Sequence, residues 1–152
     1  MKIIASLLVL AFTAGFVFGQ SGDLRKEHFN VKKNLALEGY DPVSYFDGKP
    51  LKGDPDIKFV HKNITYQFAT VANLSTFKLN PDKFEPAYGG WCAYAMGETG
   101  EKVKIDPQTY KVVDGKLYLF YNFWGNNTLE DWNENEQKLK VAADQNWKNI
   151  VR

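Results

Sequence analysis

The stretch Pro86-Ala87-Tyr88-Gly89-Gly90-Trp91-Cys92-Ala93-Tyr94-Ala95-Met96 is the part of this 152-residue chain around which we expect the rest to be organised. It contains the only cysteine, two adjacent glycines and three aromatic residues. Adjacent glycines let the backbone turn where a Cβ atom would clash, and the aromatic side chains supply an apolar wall. A lone thiol in such surroundings is either a small core residue or a reactive group, and the sequence leaves both interpretations open.

The N-terminus has the pattern of an export signal. Met1-Lys2 precedes an apolar run from Ile3 to Phe18, which ends at Gly19 with cleavage-like spacing. A basic start, a short apolar segment and such an end are typical of a secretory signal peptide, and the run is short for a membrane span. We therefore predict a signal peptide over residues 1–19 and a secreted or periplasmic protein, with an uncleaved anchor as the alternative.

The charge of the chain argues against two classes of partner, and its cysteine count argues against an internal disulfide. Removing Lys2 from the 19 basic residues balances them against the 18 acidic ones. A formally neutral chain without a basic cluster gives no electrostatic case for nucleic acid or anionic lipid, so we predict no nucleic-acid partner and no stable membrane insertion after cleavage. A single cysteine forms no internal disulfide, so the core depends on packing, in which aromatic residues bury large areas.

Two hairpins are predicted from paired runs of alternating apolar and polar residues. Lys62-Asn63 separates the first pair and Asp114-Gly115 the second, and both dipeptides favour a two-residue turn. The runs are residues 57–61 with 64–68 and residues 110–113 with 116–120. We predict an α+β fold in which the two hairpins build one small, mostly antiparallel sheet, with a further short strand at residues 103–105.

Helices are predicted to cover this sheet. Apolar residues recur at helical spacing from Val71 to Leu79, and Asn80-Pro81 ends the pattern. The segment from Leu129 to Val151 has helical spacing but a polar middle, and we favour one long helix over two. Residues 20–34 are polar and lack a steady period, so we interpret them as a lead-in segment with a solvated His28, ahead of a domain over residues 35–152.

Two Asp-Pro dipeptides, Asp41-Pro42 and Asp106-Pro107, each combine a good helix N-cap with a good first helical residue. Capping is therefore the role that we predict for both aspartates. Paired carboxylates for acid–base chemistry would need to share one cleft and have separated pKa values. The sequence does not show such an arrangement.

Several segments, in this order, resemble the exported, single-domain branch of the YHS-domain family. They are Gly39–Phe46, Ile64–Phe68, Phe77 with Asn80-Pro81 and Phe84, Pro86–Ala93 and Asp114–Leu119. The resemblance covers roughly Leu35 to the C-terminus and implies a small α+β domain. In family members fused to copper-transport ATPases, cysteines in an Asp-Pro-Val-Cys stretch and a Phe-Cys-Ser-x-x-Cys stretch are thought to handle metal.

This chain departs from the family at each of those cysteines. Ser44, Ala69 and Asn73 stand at the three positions. Because thiolates are what make such a site hold soft metals, the metal role does not carry over residue by residue. What this chain has instead is Cys92, for which we consider a buried core position, a soft-metal ligand such as one for copper, and a redox or nucleophilic thiol.

The candidate site residues surround Cys92 or belong to the aromatic set. If Cys92 binds copper, Met96, one helical turn on, and His61 are the tentative further ligands. The candidates for contact with a small molecule are Cys92, Tyr88, Trp91, Tyr45 and Asp41.

No catalytic constellation is recognisable in the sequence, so we assign no catalytic residue. The function that we predict is an exported binding module of unknown ligand, either a metal ion such as copper or a small molecule near Cys92. A thiol-based redox protein using Cys92 and a structural or protein-interaction domain are the alternatives.

Overall fold

The structure is a computed structural model that describes residues 20–152, with side chains from Leu24 onward. The predicted signal peptide lies outside the described residues. The α+β class and a small, mostly antiparallel sheet are confirmed. Within residues 20–152, none of the helices combines the length and the apolar character that crossing a bilayer requires.

The first sheet has four strands. They are β1 (Val31–Lys32), β2 (Leu35–Ala36), β3 (Asp54–His61) and β4 (Ile64–Phe68). Their order is β1-β2-β4-β3, and all neighbours are antiparallel except the parallel pair β2–β4. The predicted β3–β4 hairpin is confirmed. Its turn residues Lys62 and Asn63 have φ of 45° and 66°, as a type I′ turn requires.

The second predicted hairpin is also confirmed, but it belongs to a separate two-stranded sheet. β5 (Asp106–Val113) pairs with β6 (Lys116–Phe120) across Asp114-Gly115. The expectation of one sheet from both hairpins is therefore wrong. β6 pairs with β5 and also forms an isolated parallel bridge from Leu119 to Cys92, so its backbone is paired with the 86–96 stretch rather than with the first sheet.

A third hairpin follows directly and was not predicted. β7 (Asn122–Phe123) pairs with β8 (Asn126–Asn127) around Trp124-Gly125. The polar composition of this segment concealed it. Residues 103–105, by contrast, form no strand, although the carbonyl of Val103 accepts a hydrogen bond from the amide of Cys92, so the expected short strand there is wrong.

Six α-helices complete the described chain. They are α1 (Gln20–His28), α2 (Val71–Leu79), α3 (Pro81–Phe84), α4 (Ala93–Glu98), α5 (Thr128–Glu134) and α6 (Glu136–Ile150). The α2 prediction is confirmed at both ends, and Thr70 caps it by accepting a hydrogen bond from the amide of Asn73.

The prediction of a single long helix over residues 129–151 is wrong, because the helix is interrupted at Asn135, between α5 and α6. The break lets two surfaces be buried independently. Trp132 of α5 packs on Phe120, whereas Leu139 of α6 lies against α4, where a Cβ atom on Gly97 would meet its carbonyl oxygen at 2.6 Å.

The apolar core consists of two clusters that meet at the 86–96 stretch. Phe77 and Tyr66 belong to the first cluster with Cys92, whereas Trp132 belongs to the second with Met96. The stretch that contains the only cysteine therefore joins both halves of the core.

The two Asp-Pro dipeptides differ in outcome. The Oδ1 atom of Asp41 accepts from the amide of Val43 just before a short 3-10 helix over Ser44–Asp47, whose N-cap position is Val43 and has no side-chain cap. Asp41 therefore closes the turn before this helix and does not occupy its N-cap position. Capping by Asp106 is wrong, because Asp106 begins β5 and pairs with Phe120. Strand pairing with β6 overrides the local helix signal at that position.

Candidate functional site at the Gly89 turn

The 86–96 stretch turns through three consecutive residues in the left-handed region. Tyr88, Gly89 and Gly90 have φ of 54°, 60° and 85°. A Cβ atom at Gly89 would lie 2.8 Å from Phe29 and 2.9 Å from Trp147, so only glycine permits this approach. A tyrosine at positive φ is uncommon and strained. The turn is thereby pressed against two aromatic rings.

The lead-in segment forms the other wall of this region. The amide of Asn30 donates to the carbonyl of Gly89 at 2.9 Å, and the indole Nε1 of Trp91 donates to the carbonyl of His28 at 2.6 Å. His28 was expected to be solvated, but it is half-buried, and Lys102 Nζ lies 3.0 Å from its Nδ1. Residues 20–34 therefore help to build the site.

Two adjoining pockets lie on either side of the Phe29–Trp147 ring pair, whose centroids are 5.9 Å apart. The larger, about 480 Å³, is lined by apolar Leu24, Phe29, Trp147 and Val151 and by basic Arg25, His28 and Lys62. The smaller, about 260 Å³, includes Tyr88 and Gly89 of the turn together with Phe29 and Trp147. Apolar walls with a few polar groups are the usual composition of a small-molecule site.

Arg25 is held rigidly at the edge of the larger pocket. Its guanidinium lies 4.3 Å from the centroid of the Phe29 ring and forms an ion pair with Glu85. Its buried Nε has no hydrogen-bond partner among the described residues. Because this Nε is itself buried, the arginine contributes positive charge to the pocket edge rather than an accessible free donor.

Glu85 connects this region to the first core cluster. The hydroxyl of Tyr66 donates to its Oε1 at 2.6 Å. Burial, together with the Glu85 carboxylate, raises the pKa of Tyr66, so this phenol stays a proton donor. The Arg25–Glu85–Tyr66 chain of contacts fixes the position of the arginine.

One group of side chains in the described region is close enough to share a metal ion. His61, Asp82 and Glu85 each offer a ligand atom within 4.8 Å of the others. Lys62 Nζ, however, lies 2.9 Å from Asp82 Oδ1 and lowers the pKa of that carboxyl, and Arg25 pairs with Glu85. A dication would be placed beside two cations, so we interpret this group as an ion-pair network.

Cys92 is fully buried. Its Sγ accepts from the amide of Tyr121 at 3.4 Å and lies 3.4 Å from Thr128 Oγ1. Met96 is also fully buried but packs in the second core cluster, and His61 belongs to the ion-pair network. The described contacts therefore do not supply Cys92 with the soft partners that a copper site needs, and we derive no chemistry through such an ion.

Asp41 and Tyr45 are buried away from the Gly89 turn. The carboxylate of Asp41 accepts from the amides of Val43 and Ala69 and from Asn73 Nδ2, while Ser44 Oγ donates to its carbonyl. Positions 44, 69 and 73 thus converge on one aspartate, and hydrogen bonds fill this place.

Of the proposed contact residues, Tyr88 lines the smaller of the two pockets. Its hydroxyl donates to Asp144 Oδ1 at 2.9 Å. Burial, followed by this hydrogen bond, raises its pKa. Trp91 contributes to the site indirectly, because its indole donates a hydrogen bond to the backbone of α1.

Sequence reasoning missed Phe29, Arg25 and Trp147 as site residues. Trp147 was recognisable as an apolar position of the last helix, but no local signal showed that it meets Phe29. The clash that a Cβ atom at Gly89 would cause involves Phe29 and Trp147, which lie about 60 positions before and after it in the sequence.

Comparison of the chain with models of protein families, with curated proteins and with solved structures found no match.

Proposed function

We propose that this chain is an exported, non-enzymatic module that binds a small organic molecule with an apolar body and an anionic group, in the larger pocket beside the Phe29–Trp147 ring pair. The observation that carries the proposal is the pocket in which Phe29 and Trp147 lie beside Arg25, His28 and Lys62. An apolar ligand body would pack on the two rings, and an acceptor group would reach the basic side chains.

The charges of the pocket favour a carboxylate over a neutral acceptor. The guanidinium of Arg25 is already paired with Glu85, so Lys62 is the cation that a bound carboxylate can recruit most easily. Lys62 pairs with Asp82, which is 71% exposed, and such surface ion pairs contribute little. The ammonium group can therefore leave Asp82 at small cost and contact a bound carboxylate.

The test is a thermal-shift titration of the protein with benzoate, indole-3-acetate and octanoate. A ligand that binds only the folded state raises its stability, by about 2.7 kcal/mol at 100 times Kd. We expect at least one of these probes to raise Tm with increasing concentration. Absence of a shift with all three would contradict the proposal.

Two variants locate the site in the same titration. Trp147→Leu removes one wall of the pocket and should abolish the shift measured against that variant's own unliganded Tm. Trp124→Lys replaces an exposed tryptophan on a different hairpin and should keep the shift of the parent. An equal shift in Trp147→Leu would place the ligand elsewhere.

Copper binding and thiol redox chemistry at Cys92 stay predictions with their own tests. The buried, hydrogen-bonded thiol supports neither. We expect the parent and Cys92→Ser to compete equally poorly with a chromogenic chelator for Cu(I), and thiol labelling to require unfolding. One equivalent of copper that is lost in Cys92→Ser would favour the copper hypothesis, and rapid labelling of the folded protein would favour the redox hypothesis. No ligand in any assay would favour a structural or protein-interaction domain.

A further inference from the structure

Two side chains of the β3–β4 hairpin share one carboxylate oxygen, Oδ1 of Asp82. Lys62 Nζ lies 2.9 Å from this oxygen, and His61 Nε2 lies 3.4 Å from it. The lysine donates a hydrogen bond to it, whereas the buried Nε2 of His61 has no hydrogen-bond partner among the described residues. Lys62 first, and His61 after it, lower the pKa of the Asp82 carboxyl. The lysine therefore holds the acceptor that lies closest to the histidine.

The other carboxylate beside His61 is already engaged. Glu85 accepts from the hydroxyl of Tyr66 and is paired with Arg25. On the α2 side, the ring of Phe77 meets the imidazole edge to face, with centroids 6.1 Å apart. The charged and titratable groups around His61, directly or through a partner, are Lys62, Tyr66, Asp82, Glu85, Arg25 and, over the ring of Phe59, Lys78. Among them, Asp82 is the acceptor whose partner can change.

A bound carboxylate changes that partner. Lys62 lines the larger pocket, and its exposed ion pair with Asp82 holds it weakly. When the ammonium group turns to a ligand, the negative charge left on Asp82 lies 3.4 Å from His61 Nε2. An opposite charge at such a distance favours the charged form of a titratable group. The ligand carboxylate on Lys62 adds a second negative charge in the same region, so both changes favour a protonated imidazole.

We propose that binding of a carboxylate in the larger pocket is coupled to the uptake of one proton by His61. This inference rests on the proposed function, since it concerns the same pocket. The proton comes from solvent and adds to the neutral imidazole, which becomes an imidazolium ion that donates from Nε2 to Asp82. No covalent bond to the ligand forms. Because the bound state holds one more proton than the free state, affinity rises as the pH falls.

His28 is the other histidine of the chain, and it lines the larger pocket itself. Lys102 Nζ lies 3.0 Å from its Nδ1, and since an ammonium group has only donors, this nitrogen is the acceptor. A proton on Nδ1 would instead face a cation. Of the two histidines, His61 is thus the one beside a carboxylate that ligand binding sets free, and the two form a matched pair for the experiment.

The test is isothermal titration calorimetry with benzoate, indole-3-acetate and octanoate at about pH 8 and about pH 6, a range in which histidine titrates and these carboxylates stay ionised. We expect the Kd of the parent to fall about three- to tenfold from the higher to the lower pH. His61→Gln should lose this change. His28→Gln, for which we compare only the ratio of its own two Kd values, should keep the ratio of the parent. Titration of the parent in Tris and in HEPES near neutral pH counts the protons taken up.

Asp82→Asn provides a second variant at a position that is 71% exposed. Without the carboxylate, Lys62 is free to meet the ligand and His61 has no charge to pair with. We therefore expect Asp82→Asn to bind about threefold more tightly than the parent at about pH 8 and to lose the pH dependence. A change that only disturbed the structure would weaken binding instead.

The outcomes separate this inference from the proposed function. Absence of binding by all three probes at both pH values would overturn both. Binding with equal Kd at the two pH values, pH dependence that persists in His61→Gln, or pH dependence that is lost in His28→Gln would overturn the inference alone. Circular dichroism shows whether each variant keeps its fold, and if His61→Gln unfolds, the gain or loss of affinity in Asp82→Asn decides.

Discussion

Asp41-Pro42 and Asp106-Pro107 are the same dipeptide, and the hydroxyl of Tyr45, just after the first, donates to the carbonyl of Pro107 in the second at 2.8 Å, yet the two aspartates make different contacts. Asp41 is fully buried and binds donors from residues 28 and 32 positions away. Asp106 is half-buried, and its carboxylate accepts from Gln108 and Thr109. The same dipeptide organises tertiary structure in one place and a local turn in the other.

The difference depends on the donors that other parts of the chain bring. At Asp41 the end of β4 supplies the amide of Ala69, and α2 supplies the amide of the Asn73 side chain. Asp41 therefore ties a sheet to a helix, whereas Asp106 shapes the irregular start of β5, where the pairing with β6 shifts register.

Replacing each aspartate by alanine should give the largest difference between the two positions in the loss of free energy of unfolding. Asp41→Ala leaves three buried or partly buried N–H groups without an acceptor, and we expect a loss of about 3 kcal/mol in the free energy of unfolding. Asp106→Ala should lose about 1 kcal/mol. Urea denaturation measures both, with Asp47→Ala on the exposed surface as the control. Equal losses at the two positions would remove the distinction.

Replacement by asparagine should sharpen the comparison at smaller magnitude. At Asp41, one acceptor oxygen becomes an NH₂ group that faces N–H donors, so we expect Asp41→Asn to lose about 2 kcal/mol. At Asp106, the Thr109 hydroxyl can rotate and accept from the new NH₂ group, so the loss should stay below about 0.5 kcal/mol. Denaturation in urea with unchanged m-values would check this, and a larger loss at Asp106 would contradict it.

The buried phenol of Tyr45, which donates to Pro107, should make stability depend on alkaline pH. Burial above all, and then Tyr40 and Asp106 among other neighbours, raises the pKa of Tyr45 from its ordinary value of 10.0. The stabilisation is complete below that value and is lost as the pH rises above it, because the unfolded phenol ionises first. Above about pH 10, the free energy of unfolding of the parent should therefore fall more steeply with pH than that of Tyr45→Phe, by up to about 1.4 kcal/mol per pH unit. Parallel curves of the free energy of unfolding against pH would contradict this.

The smallest effect should come from removing one neutral donor at each aspartate. Asn73→Ala deletes the side-chain donor to Asp41 Oδ2, and Thr109→Val deletes the donor to Asp106 Oδ2. We expect losses of about 1 and 0.5 kcal/mol, respectively. A double-mutant cycle of Asn73→Ala with Asp41→Ala would show coupling if the contact at 2.7 Å is energetically real, and purely additive losses would contradict that contact.

Local signals predicted more of the fold than of the candidate site. The hairpins at Lys62-Asn63 and Asp114-Gly115 and the helix from Val71 to Leu79 follow from neighbouring residues. The Gly89 turn was recognisable from its two glycines, but its partners Phe29 and Trp147 come from both ends of the described chain. No pattern within a short window shows that such segments meet.

The sequence by itself determined the turns at Lys62-Asn63 and Asp114-Gly115 and the helix from Val71 to Leu79, because turn dihedrals and hydrophobic periodicity depend on residues a few positions apart. It also determined that one cysteine would stand without a disulfide partner. Only the tertiary structure decided that this thiol joins the ends of the β7–β8 hairpin, that Asp41 rather than Asp106 becomes a buried acceptor, and that the two predicted hairpins lie in separate sheets. Each of these outcomes depends on which distant groups fill a buried space or a free strand edge, and that competition is settled by packing and hydrogen-bond satisfaction across the whole domain.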